Sequence, residues 1–296
     1  MSLNAQAQDW LFNFRSQVNV PTRMNTFSHQ PKTFSVTGGK GGVGKTSIAL
    51  KLAIELSAAS ARVLLIDFDY NLSNTGIKLG LPFGPTLAQL LRGEVSLKQA
   101  IIRGPKFDLL SGGNGDLDLF ERHEHHFERF IIDIVHQVEK EYDVIIFDCP
   151  AGLGREALSL NAYSDYRIMI VAPDRSSITD AYAMMKILKH KFGVSSNLLL
   201  ANKIESTDQY LRLVKSLTET AENFLDVQLS ILGMISKVEV SHSNFDHFFL
   251  FDQTSKTHHD FTKVLAVLTE KCLDGRDSSK SRPAQIQEAL VTGCHR

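Results

Sequence analysis

Long apolar runs are missing from this sequence, and no stretch approaches the ~18 consecutive apolar residues of a membrane-spanning helix. The opening residues, MSLNAQAQDW, hold no basic segment leading into an apolar one, so nothing there reads as a secretion signal. Cysteine is scarce. Cys149, Cys272 and Cys294 are the three, and none is paired at short spacing. That argues against a zinc ribbon or a redox dithiol and fits a reducing cytoplasm. Neither sign of charge is in excess: 32 Lys and Arg stand against 33 Asp and Glu, a formal net charge of -1. No overall basic field therefore points to nucleic acid. What is present is an ordinary globular composition, 43% hydrophobic and 22% charged over 296 residues. Such a chain can bury one large α/β core or two smaller ones. It reads as soluble, or at most peripheral to a membrane.

Three regions follow from the patterning. Residues 1–32 read as a leader. In it Leu3, Ala7, Trp10, Leu11 and Phe14 share one face of a short amphipathic helix, followed by a polar linker. Residues 33–273 alternate apolar runs with helical patterns. The strand candidates are Phe34–Thr37, Val63–Asp67, Phe107–Leu110, Val144–Asp148, Ile168–Val171, Leu198–Asn202 and Leu229–Ile235. Near-continuous apolar runs suit strands covered on both faces, and strand–helix alternation predicts a doubly wound, mostly parallel α/β sheet. Helices are expected at Ser47–Ser57, Leu117–Lys140, Ile178–His190, Tyr210–Leu225 and Asp260–Leu273. Residues 274–296 read as a polar tail.

The strongest motif is FSVTGGKGGVGKTS, Phe34–Ser47, which holds G-x-x-x-x-G-K-T between a strand and a helix. Glycines let successive backbone N–H groups face one anion, and the helix adds its positive end. Lys45 would reach the β- and γ-phosphates, and the Thr46 hydroxyl would ligate Mg²⁺. The candidate nucleotide-binding residues are Gly39, Lys40, Gly41, Gly42, Val43, Gly44, Lys45, Thr46 and Ser47. Two apolar strands end in carboxylates: VLLIDFDY in Asp67 and Asp69, and VIIFDCPAG in Asp148. In open α/β sheets these strand ends face the ligand. If the first strand continues far enough, alternation puts Asp67 and Asp69 on one face. Asp67 could alternatively cap a helix, the less favoured reading. LLLANKIES ends a later strand in Asn202, whose amide suits an adenine or, equally, a turn.

Lys40, early in the loop, is not needed to cradle phosphate. With it, K-G-G-V-G-K-T resembles the deviant Walker A family of MinD, ParA and the nitrogenase iron protein, over roughly residues 33–272. The resemblance implies a P-loop ATPase that dimerises around ATP. Lys40 would then bind the partner's nucleotide in trans and stabilise charge in the transition state. It further implies that Asp69 orients the attacking water, that Asp67 supports Mg²⁺, and that Asp148 holds Mg²⁺ through water as a Walker B residue. Pro150–Gly152 would be the segment that responds to γ-phosphate.

A narrower likeness lies in SITDAYAMMKIL after RIMIVAPD, and in FLDVQLSILGMI. These resemble the flagellar-number ATPases FlhG and FleN. That implies regulation of flagellum number or placement at a cell pole, with an FlhF-like SRP-type GTPase or a flagellar transcription regulator as partner. The leader keeps Gln6 and Ala7 of that group's activating motif but has Ala5, Trp10 and Leu11 at its charged and leucine positions. The family's Pro-Tyr-Asp-like turn near adenine is replaced by ISKVEVSHS, Ile235–Ser243, so base contacts do not carry over. Asn244–Phe251 is aromatic enough for a partner surface or for buried packing. The tail offers Ile286, Leu290 and Val291 with little basic support, which is weak support for a membrane contact. His123, His125 and His126 share a helical spacing that suits an exposed face better than a metal site. Alternatives are a MinD-like division-site regulator and a ParA-like DNA-partitioning ATPase, the latter needing a basic patch such as residues 186–191. The cysteine pair of the iron–sulfur branch is absent from the sequence.

Overall fold

The computed structural model describes residues 30–69, 75–79, 84–113, 127–240 and 242–273. The expected leader helix, His123, His125, His126 and the C-terminal tail lie outside these residues. β1 (Lys32–Thr37) runs through the glycine loop into α1 (Lys45–Ala58). Then come β2 (Val63–Asp67), the short helices α2 (Thr75–Lys78), α3 (Leu87–Leu91) and α4 (Leu97–Ala100), and β3 (Asp108–Leu110). α5 (Phe127–Val138), β4 (Val144–Asp148), α6 (Arg155–Tyr163), β5 (Tyr166–Val171), α7 (Arg175–Phe192) and β6 (Ser196–Ile204) follow. α8 (Thr207–Leu225), β7 (Gln228–Ser236), α9 (His242–Phe251) and α10 (Lys256–Leu268) complete the order, with a π turn at Thr269–Leu273.

Each strand expected from the sequence forms. They assemble as one seven-stranded sheet in the order β3-β2-β4-β1-β5-β6-β7, parallel throughout. β1 starts one residue before the expected domain boundary, because Lys32 pairs with Val144 of β4. From β1 the chain moves to one side of the sheet and later returns to the other. The crevice above the C-terminal end of β1 is the switch point where such sheets bind ligands.

Strand alternation sorts the core. Phe34, Val36, Leu65, Ile146, Ile168 and Ile170 pack with Ile48 and Leu52 of α1 and with Phe249 and Phe261. The intervening residues Leu64, Ile66, Ile145 and Phe147 meet Ile131 and Ile134 of α5. Met169, Val171, Leu199 and Ala201 meet α7 and α8 through Met184, Leu188, Leu213 and Leu217. β1 departs from the apolar rule: Thr33, Ser35 and Thr37 are fully buried on its second face. They are satisfied by Asp165, which accepts from the Thr33 N–H at 2.9 Å, and by Asn161 of α6. α7, α8 and α10 start at caps whose side chains accept from the first turn, Asp174, Ser206 and Ser255. Each such cap is worth about 1 kcal/mol. Among the described residues no helix is long and apolar enough to cross a membrane.

Candidate functional site

The glycine loop sits between β1 and α1, and its shape is enforced from outside. Gly44 has φ of 103°, and a Cβ there would lie 2.4 Å from the Asn202 amide nitrogen. A Cβ on Gly39 would meet Asp180 of α7 at 2.4 Å. Larger residues at either place would push the loop off the sheet. Two residues at the end of β6 grip the loop's carbonyls. Asn202 Nδ2 donates to the Val43 carbonyl at 2.8 Å, and Lys203 Nζ donates to the Gly42 carbonyl at 2.6 Å. The carbonyls are thereby held to the outside. The Asn202 nitrogen is thus committed to the loop, which leaves its Oδ1 as the atom that could accept from a base amine.

Behind the loop lies the carboxylate cluster. Lys45 is 8% exposed and Asp148 is 1% exposed. Neither oxygen of Asp148 has a hydrogen-bond partner among the described residues. Burial first, and then the charge of Asp67, hold the Asp148 carboxyl well above the usual carboxylate range; nearby Thr46 and Lys45 pull the other way. An orphaned buried carboxylate beside a threonine hydroxyl suits a hydrated divalent cation, which removes the cost of the buried charge. Asp148, Thr46 and Asp67 therefore fit Mg²⁺ in kind. Among the described residues no three His, Cys, Asp or Glu form a closed cage. Mg²⁺ in phosphate sites keeps waters and takes phosphate oxygens instead.

The strand does not continue beyond β2, which stops at Asp67, so alternation does not put Asp67 and Asp69 on one face. The Asp67 Oδ1 accepts from the Asp69 N–H at 2.9 Å and its Oδ2 from the Thr75 hydroxyl at 2.6 Å. This local turn replaces further alternation and leaves Asp69 half-buried at the rim. Asp67 is not a cap of an adjoining helix; it ties the strand end to α2.

Lys40 does not join Lys45 inside the loop. Its ammonium is paired with Asp174 at 2.9 Å, and the two side chains are 43% and 46% exposed. Asp174 is also the cap of α7, accepting from the Ser177 N–H. The Ser176 hydroxyl first, then Lys40 and the Ser177 N–H, draw the Asp174 carboxyl down to about 2. Asp174, Lys203 and Asn161 are the residues that sequence reasoning missed. The D-x-S spacing after β5 is a cap pattern that could have exposed the first. Nothing in the sequence marks a Lys203 at φ of 61°. The basic segment at residues 186–191 is partly neutralised, since Lys189 bonds the Asp226 carboxylate at 3.0 Å.

A parallel doubly wound sheet with a glycine loop at its switch point, a buried lysine and an orphaned carboxylate behind it defines a P-loop nucleotide-binding protein. A family model described as an AAA domain matches residues 31–199. The antiactivator FleN of Pseudomonas aeruginosa is 32% identical over 210 residues, 70% of this chain and 74% of that protein. The flagellum site-determining protein YlxH of Helicobacter pylori is 29% identical, covering 74% of each chain. MinD of Pyrococcus horikoshii, solved with Mg-ADP, superposes with a TM-score of 0.62 at 23% identity, over 79% of this chain and 94% of that one. The chain belongs to this AAA-domain family, in the MinD/ParA branch of ATPases that holds FlhG and FleN.

Proposed function

We propose that this protein is an ATP-hydrolysing dimerisation switch that sets the number or placement of flagella. The observation that carries the switch is the division of labour between two lysines. Lys45 is buried at the loop, whereas Lys40 stands at the rim in an exposed pair with Asp174. Such a pair is worth only about 0–1 kcal/mol, so little holds Lys40 in place once a partner's phosphates come near. Gly39–Ser47 bind the phosphates of ATP, with Lys45 on the β- and γ-phosphates. Thr46, Asp67 and Asp148 hold Mg²⁺, which supplies charge neutralisation at the phosphates. Asp69, at the rim, orients the attacking water. Lys40 of each subunit neutralises charge on the other subunit's γ-phosphate, so hydrolysis removes its binding partner and the dimer parts. Asn202 positions the loop and offers its oxygen to the base.

The flagellar role is supported by likeness to an antiactivator and to a flagellum site-determining protein. An FlhF-like GTPase or a flagellar transcription regulator is the partner class this implies, with turnover slow until that partner binds and the dimer acting at a cell pole or the inner membrane face. A test is sedimentation of wild type and Asp69→Ala with Mg²⁺ and ATP or ADP. Asp69→Ala should remain dimeric in ATP. Wild type should dimerise and then return to monomer as ATP is consumed. Unchanged association in all four samples would remove both the switch and the role given to Lys40.

A further inference from the structure

We infer that α2 is a strut that positions Asp67 for Mg²⁺: the Thr75 hydroxyl orients the carboxylate, and the Lys78–Asp246 pair anchors the strut on α9. The inference rests on the magnesium role proposed above for Asp67 and adds two positioning residues that act through it.

Asp67 and Asp148 lie side by side, paired in register at the ends of β2 and β4, and each is 1% exposed. Two buried carboxylates in that relation repel one another, and they share a hydrated cation only when each turns an oxygen toward it. Asp67 is turned from outside. Its Oδ1 accepts the Asp69 N–H at 2.9 Å and its Oδ2 the Thr75 hydroxyl at 2.6 Å. One donor on each oxygen fixes the plane of the group. An ionised carboxylate has about four lone-pair sites, so acceptor capacity remains for a metal or its waters. Thr75 is 0% exposed, so bulk water does not compete for its hydroxyl.

What holds Thr75 in place is less local. α2 is one turn, Thr75–Lys78, and a single turn is not stable by itself. Two contacts seat it. Leu79, just past its end, packs on the core cluster that holds Ile48 and Leu52 of α1. Lys78 Nζ donates to Asp246 Oδ1 at 2.8 Å, the side chains being 22% and 36% exposed. Asp246 belongs to α9, 168 positions along the chain. α9 is tied in turn to α1, because Lys51 donates to the Leu250 carbonyl at 2.9 Å. α1 carries Thr46 in its first turn. One helix therefore anchors the elements that bring Thr46 and Thr75 to the metal site from two sides, and its seating is coupled to the geometry of that site.

The test is calorimetric titration of the full chain with ADP over a range of Mg²⁺ concentrations, starting from EDTA. Wild type should bind ADP more tightly as Mg²⁺ rises. Thr75→Val keeps the side-chain outline and removes the donor. It should raise the Mg²⁺ concentration at half-effect by about 10- to 100-fold, the usual result of removing a group that orients a metal ligand, with ADP affinity in EDTA unchanged. Thr75→Ser keeps the hydroxyl and should stay close to wild type. Lys78→Met should shift the same midpoint by about two- to fivefold, the range of a part-exposed ion pair. The exchanged pair, Lys78→Asp with Asp246→Lys, should restore it. Mg²⁺ strengthening in wild type with no shift in Thr75→Val overturns the inference and leaves the magnesium role of Asp67 standing. A shift in Thr75→Ser equal to that in Thr75→Val overturns it too, as does loss of ADP affinity by Thr75→Val in EDTA, which a damaged phosphate loop would produce. An unshifted midpoint in Lys78→Met overturns the anchoring on α9. No effect of Mg²⁺ on wild type removes the role of Asp67 itself, and the strut with it.

Discussion

Lys40 carries a charge that its own phosphate loop does not use, and Asp174 keeps it at the rim. The same aspartate caps α7, so one side chain links Lys40, the lysine proposed to act in trans, to the start of a helix. Asn caps as well as Asp. Asp174→Asn should therefore keep the helix while removing the charge that holds Lys40, and it should dimerise in ATP at lower protein concentration. The pair also gives a pH signature. The Asp174 carboxyl is lowered to about 2, so it contributes stability above the unfolded value of about 3.9 and loses that contribution as pH falls toward the folded value. In urea unfolding, the difference in midpoint between wild type and Asp174→Asn should be flat above about pH 5, fall progressively below it, and be close to zero by about pH 1. A buried charge tells a structural story instead. Lys51 of α1 is 1% exposed; it donates to the Leu250 carbonyl at 2.9 Å and pairs with Glu55 at 2.9 Å. It ties the phosphate-loop helix to the end of α9.

At the scale of elements, α6 follows the Pro150–Gly152 segment and is fastened to β1, the strand that carries the loop. Asn161 does the fastening. Its oxygen accepts from the Ser35 hydroxyl at 2.9 Å, and its amide donates to the Thr37 hydroxyl at 3.0 Å and to the Ala157 carbonyl at 2.6 Å. Asn161→Ala would strand the buried Ser35 hydroxyl and remove the amide donor to the Thr37 hydroxyl, which still donates to the Met184 sulfur at 3.4 Å, with an expected loss of about 1–2 kcal/mol in chemical denaturation. Asn161→Asp would bury a carboxylate and should cost more at neutral pH than at acid pH. The aromatic segment Asn244–Phe251 resolves largely as packing. Phe249 and Leu250 are buried, Phe245 stacks on Phe249 at 5.6 Å, and His247 and Phe251, the latter 39% exposed, are left to solvent.

For the whole molecule, the sheet places every charge of the site at one end, where one ligand can neutralise several of them. Ligand binding to the folded state alone stabilises it by about 2.7 kcal/mol at a hundredfold excess over Kd. For a chain of this size that corresponds to a rise in melting midpoint of roughly 5–10 °C. Mg-ATP should produce this in wild type and not in Lys45→Ala, measured by scanning calorimetry. The midpoint of Asp69→Ala in ATP should also rise with protein concentration if, as proposed, its folded state there is a dimer; in ADP it should not.

The strands and the loop were legible from the sequence because their chemistry is local. A parallel strand buried on both faces must be an apolar run, and a phosphate loop must have glycines and lysine at fixed spacing between a strand and a helix. Asp148 was legible for the same reason, as a carboxylate at the end of such a run. The short helices α2, α3 and α4 were not, since too few turns leave no period to read. α6 was missed because the face it buries holds Ser159 and Asn161 as well as leucine and alanine. Tertiary structure alone decided the partners of Lys40, the turn that ends β2 at Asp67, and the grip of Asn202 and Lys203 on the loop. These join residues 134, 8, 159 and 161 positions apart in the chain. Such contacts have no period and no fixed spacing, and they exist only once the sheet has brought its strand ends to a common edge.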